Sequence, residues 1–157
     1  MKAASLSELK KELSTLPPKE VLELCIRMAK FKKDNKELLS YLLYEAHDEK
    51  SFIETVKLWI DEQFADMNRS TLYLIKKTLR KILRGTNKYI KYSGLKQTEV
   101  ELLIYFCAKL KNSGIPIQNS TALVNLYMRQ ILKIKKAVAT LHEDLQFDYG
   151  QELRPLL

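Results

Sequence analysis

Between Met67 and Thr98 nine side chains carry positive charge (Arg69, Lys76, Lys77, Arg80, Lys81, Arg84, Lys88, Lys91 and Lys96), and none carries negative charge. A row of fixed cations suits one chemistry above others: it displaces the counterions of a polyanion and holds its phosphates or carboxylates. Placed on a helix, the stretch divides into two faces. Leu72, Ile75, Leu79, Ile82, Leu83, Thr86, Tyr89 and Ile90 share one face, which suits a core. Lys76, Lys77, Arg80, Lys81, Arg84, Lys88 and Lys91 share the other, with Tyr73 among them. A weaker row, Arg129, Lys133 and Lys136, recurs on a later helical segment. These eleven residues are the candidate polyanion-binding set, with Tyr73, and Tyr92 beside it, offering flat rings on which a base could stack.

Other chemistries find little to work with. The two histidines stand apart. His47 lies among Glu45, Asp48 and Glu49 at a helix end, and His142 precedes Glu143 and Asp144, which as consecutive residues project to different sides of a helix. No Glu-x-x-His pair suggests a di-iron bundle. The four glycines, Gly85, Gly94, Gly114 and Gly150, are isolated, so no phosphate-cradling loop is expected. Neither Cys25 nor Cys107 has a nearby His, and both sit in apolar runs as buried thiols of a reducing cytoplasm would. Glu99 and Glu101 are the only acids in the cationic half and project apart. The expectation is a non-enzymatic chain without metal or cofactor.

Charge is distributed unevenly. The net +8 arises from 11 basic and 13 acidic groups in residues 1–66, 15 and 2 in residues 67–142, and 1 and 4 in residues 143–157. An apolar content of 46% with 29% charged residues fits a folded chain, and 157 residues suffice for one domain with its own core. The polar opening MKAASLSELKKEL is not expected to be a secretory leader. The longest apolar run, Leu102 to Ala108, is too short for a bilayer. The reading is a cytoplasmic protein, monomer or homodimer, with no membrane partner.

Seven helical segments would position the cations. Ser5 and Glu8 have capping-box spacing before a first helix with Leu6, Leu9 and Leu13 on one stripe. Pro17 and Pro18 stop it and start a second, to about Phe31, with Val21, Leu24, Cys25 and Met28 inward. A third, capped by Asp34 or Asn35, runs to about His47. A fourth, from about Lys50, buries Phe52, Ile53, Val56, Trp59, Ile60, Phe64 and Met67 and shows Glu54, Asp61, Glu62 and Asp66 outward. Asn68 or Ser70 caps the basic fifth helix, which Gly85 could kink and Gly94 ends. The sixth, about Gln97 to Asn112, is apolar all round (Val100, Leu103, Ile104, Cys107 and Leu110 against Leu102, Tyr105 and Phe106), so it is expected at the centre with the fifth and seventh packed on it. The seventh carries a heptad seam, Val124, Tyr127, Ile131, Ile134, Val138, Leu141 and Leu145, which fits bundle packing or pairing with a second chain.

Leu16–Lys32 and Leu95–Lys111 match at seven of seventeen positions: Leu16/Leu95, Glu20/Glu99, Val21/Val100, Leu24/Leu103, Ala29/Ala108, Lys30/Lys109 and Lys32/Lys111. Such an echo would suit two stacked helix pairs of the HEAT or armadillo type, although any two amphipathic helices share Leu, Glu and Lys. The expected fold is all-α, six or seven antiparallel helices in a compact right-handed array of that kind, or else a multi-helix bundle. The segment SELKKELSTLPPKEVLELCIRMAKFKKDNKELL, with Leu74-IKKTLRKIL, resembles a family of bacterial all-helical proteins of similar length, which open with a Leu-Lys-Lys helix and then a Leu-x-x-Glu-x-Leu helix. The likeness covers roughly half the chain and departs from the pattern in the Tyr-rich later segment. That family has no established activity, so the likeness implies an all-helical fold and carries no site residues.

Three functional readings stand side by side: nucleic acid held by its backbone without base reading, an acidic protein partner on a helical scaffold, or a solvated face with no dedicated ligand. No helix-turn-helix is evident. The acids of the fourth helix could also pair with the cations of the fifth and lower their potential.

Overall fold

Eight α-helices form, one more than the upper expectation of seven, and there is no strand. The computed structural model describes all 157 residues. The chain, read above as one domain, groups into two compact units, Met1–Tyr44 and Glu45–Leu157.

The first unit holds α1 (Leu6–Thr15), α2 (Pro18–Phe31) and α3 (Lys33–Ser40). Ser5 and Glu8 form the expected capping box, each side chain meeting the other's backbone N–H, and Pro18 occupies the first turn of α2. The end of α2 is closed by Asn35, whose side-chain amide donates to the Met28 carbonyl at 2.8 Å. Neither Asp34 nor Asn35 caps α3, which starts after Lys32 without a side-chain cap. A π-helical turn, Tyr41–Glu45, follows. None of α1, α2 or α3 contains a buried residue. Tyr41 is the unit's one buried side chain.

The second unit is built differently. It comprises α4 (Glu49–Ala65), α5 (Leu72–Ser93), α6 (Lys96–Lys111), α7 (Thr121–Val138) and α8 (Glu143–Leu153), with short 3-10 turns at Ile117–Asn119 and Arg154–Leu156. Helix α6 packs against α4, α5, α7 and α8, the central position its all-round apolar character predicts. Val100, Leu102, Leu103, Phe106, Cys107 and Leu110 are excluded from solvent. Each large side chain so buried stabilises by about 1.5–3 kcal/mol relative to exposure. Tyr105 is half-buried, and its hydroxyl donates to the Asp61 carboxylate at 2.8 Å.

Polar ties fix the helices around α6. The Ser93 and Thr98 hydroxyls both donate to the Glu49 carboxylate, tying the start of α4 to the junction of α5 and α6. Tyr149 on α8 donates to Glu101 on α6, and Tyr127 on α7 donates to the Leu156 carbonyl, each at 2.8 Å. The eighth helix was not expected. Helix α7 ends at Val138, and the imidazole of His142 caps a new helix by accepting from Asp144 N–H. Leu141 and Leu145, read as the end of the α7 seam, belong to the turn and to α8. The seam is corrected further: Val124 lies exposed, and Leu123, Gln130 and Ala137 join Tyr127, Ile131 and Ile134 in the core.

Candidate polyanion-binding face

Helix α5 owes its bounds to two local devices. Thr71, not Asn68 or Ser70, caps it by accepting from Leu74 N–H, while Asn68 accepts from Ser70 N–H in the preceding turn. Gly94, at φ 71°, closes its end in the left-handed conformation that glycine adopts without strain. Between them the helix is continuous through Gly85. Glycine is required there for closeness: a Cβ at Gly85 would overlap the Trp59 ring of α4.

The apolar face lands as expected, with Ile75, Leu79, Ile82, Leu83 and Thr86 buried. Leu72, Tyr89 and Ile90 flank them half-buried. On the outer side Lys77, Arg80, Lys81, Arg84 and Lys91 are exposed, and Lys76 is half-buried. Tyr73 is 70% exposed and heads the same row. Lys88 is drawn inward, its ammonium 5.3 Å from the centre of the Tyr89 ring and 5.9 Å from that of Tyr92. Tyr92 meets Tyr89 edge to face at 6.1 Å, so it is occupied within the fold and is no stacking platform.

The two cationic rows meet. Lys133 of α7 donates to the Asn87 side chain of α5 at 3.4 Å, and Asn87 in turn donates to the Leu83 carbonyl at 2.7 Å. At 100° per residue, Lys76, Arg80, Arg84 and Lys91 lie within about 60° of Asn87, and Arg129 and Lys136 within about 60° of Lys133. Trp59 meets the opposite flank of α5, at Gly85. Lys76, Arg80, Arg84 and Lys91 therefore face solvent and the α7 side, while Lys81 and Lys88, within about 60° of Gly85, lean toward the α4 flank. Arg129, Lys133 and Lys136 are exposed along the α7 edge of this face.

Two acids of α4 are paired away from this face. Asp61 pairs with Lys109 of α6 at 2.8 Å, and Glu54 with Lys57 of its own helix at 2.8 Å. Burial tends to raise the Asp61 pKa, but hydrogen bonds from Lys109 and Tyr105 outweigh it and hold the carboxyl below its ordinary value. The Tyr105 hydroxyl is pushed up to about 12, by burial first and by Asp61 second. Lys57 lies 4.0 Å from Glu101. Of the α4 acids, Asp61 thus turns to α6, Glu54 is held within α4, and Glu49 bridges the end of α5 and the start of α6.

Arg69, the first cation of the stretch, is spent on structure, donating to the Ser113 carbonyl at 2.7 Å. Asn87 was missed by sequence reading; a polar residue at the edge of an apolar face, surrounded by cations, is the signal that could have marked it. Cys107 is inert: burial pushes its thiol up to about 12. No grouping of His, Cys, Asp and Glu forms a metal-binding cluster, and no helix is long and apolar enough to cross a membrane. Comparison with known families, curated proteins and solved structures finds nothing that matches the chain.

Proposed function

We propose that this chain is a non-catalytic helical module that holds a polyanion, most concretely a nucleic acid backbone, across the face shared by α5 and α7. The observation that supports the reading is the Lys133–Asn87 contact, by which a cation of the α7 row reaches the edge of the α5 row. Lys77 to Lys91 spans about 21 Å of helix axis, room for several successive phosphates. Such a site holds charge and backbone without reading bases, so binding falls steeply as salt rises. Tyr73 supplies one stacking surface at the end of the row.

The test is fluorescence anisotropy of a mixed-sequence RNA or DNA oligomer at low salt. Replacing Arg80 and Arg84 with Glu reverses the local field while leaving the buried face untouched, so binding is lost and the thermal midpoint stays within experimental scatter. No binding by the unmodified protein, or binding indifferent to the double reversal, refutes the reading.

One observation favours an acidic protein partner instead. Val124, Met128 and Leu132 form an exposed apolar row on α7, with Lys135 beside it. Apolar surface edged by charge is the pattern of protein interfaces. Replacing Met128 and Leu132 with Lys leaves oligomer binding intact if nucleic acid is the ligand.

A further inference from the structure

The first unit is the anomaly of the molecule. Thirteen of the chain's twenty-one exposed large apolar residues fall in its 44 residues. Between α1 and α2 lies an open groove of about 910 Å³ whose floor is Leu6, Leu9, Leu13, Leu24, Met28 and Phe31. Leu6 and Phe31 are each 85% exposed and Met28 65%. Helices this short, with no buried residue, do not hold themselves together in water. Covering this groove would stabilise both helices.

We propose that the cover is a second copy of the same chain, whose α1 and α2 occupy the groove reciprocally. Two features point to self-pairing. The groove accepts a helix with an apolar stripe, and α1 is one, with Leu6, Leu9 and Leu13 at spacings of three and four. Its flanks also carry complementary charge. On the helical wheel Glu8 and Glu12 lie to one side of the leucine stripe and Lys10 to the other, and the charged residues lining the groove are Lys10 and Arg27. Glu8 is held in its capping box, which leaves Glu12 as the acid for the other copy's Lys10 or Arg27. A two-fold axis satisfies both copies at once, as an isologous interface requires.

The experiment uses the full chain without nucleic acid. Sedimentation equilibrium from 1 to 100 µM should show a mass rising from 18.3 kDa toward twice that value. Met28→Ala and Phe31→Ala, which keep the helix, should each weaken association at least tenfold, and the double variant Leu9→Glu, Met28→Glu should stay monomeric throughout. Because that double variant could lose α1 and α2 altogether, the unmodified protein supplies a second arm. Mixed ¹⁴N and ¹⁵N chains treated with a carbodiimide should give mixed-isotope cross-links between Lys10 and Glu12. A chain that stays single at 100 µM overturns the proposal. So does a dimer that survives the double charge substitution, or one whose mixed-isotope cross-links all lie outside residues 1–44.

Discussion

Helices α2 and α6 sit in the two stretches that match at seven of seventeen positions, yet they meet opposite fates. Leu103 of α6 is fully buried, whereas its counterpart Leu24 of α2 is 41% exposed. Cys107 is sealed in the core and its counterpart Met28 is open. The shared residues are enough to make both segments helical. Burial is decided by neighbours: α6 is packed by four helices of its unit, while α2 packs chiefly on α3. Amphipathicity states that a face should be covered and does not name what covers it.

The largest expected difference is in hydrogen exchange. Amides of α6 should exchange only on global unfolding, and those of α2 through local opening, orders of magnitude faster in dilute protein. Equal protection in both helices at low concentration would break the comparison. The next contrast is by deletion. Leu103→Ala should cost about 2–5 kcal/mol in urea unfolding, and Leu24→Ala under about 1 kcal/mol at concentrations where the chain is single. If the first unit pairs, that gap narrows as concentration rises.

Packing can also be probed by addition. Gly85→Ala should destabilise by about 1–3 kcal/mol despite alanine's better helix propensity, since the new methyl meets the Trp59 ring. Ala29→Val, at an apolar hollow of about 160 Å³ in the first unit, should change stability by less than about 1 kcal/mol. Caps give a smaller effect. Thr71→Ala should lower global stability by about 1 kcal/mol, while Ser5→Ala should fray α1 and leave the urea midpoint of the second unit unmoved.

The smallest effect expected is electrostatic. Asp61 has a depressed pKa in the folded state, so its contribution is present above the ordinary aspartate value and is lost as pH falls through the lower, folded one. The unmodified protein should therefore lose stability in acid below about pH 4 more steeply than Asp61→Asn, measured by urea unfolding at each pH. Parallel acid profiles would count against the Asp61–Lys109 tie.

Much of this was legible in the residues. Leu102 and Phe106 opposite Leu103 and Cys107 marked α6 as central, and the acid-free run from Met67 to Thr98 marked the cations of α5. The end of α7 was not legible from periodicity, because Leu141 and Leu145 keep the heptad spacing across a chain reversal. The cap and the two acids at His142–Asp144 carried that information instead. The thin core of the first unit left no trace at all, since α2 reads like a buried helix. Nor could the sequence show that Lys88 folds back over two tyrosines while Lys133 reaches Asn87; both depend on how helices far apart in the chain come together.

The close approach at Gly85 makes the protein its own optical reporter. Trp59 is the only tryptophan, and its half-buried indole rests on the flank of α5 opposite the Asn87–Lys133 seam, 5.5 Å from the Tyr89 ring. A roll of α5 about its axis would slide Gly85 across the indole and alter its exposure to water. Emission wavelength and acrylamide quenching would then report such a movement when an oligomer is added, with no dye attached, and the Gly85→Ala variant, in which the ring is displaced from the start, gives the comparison.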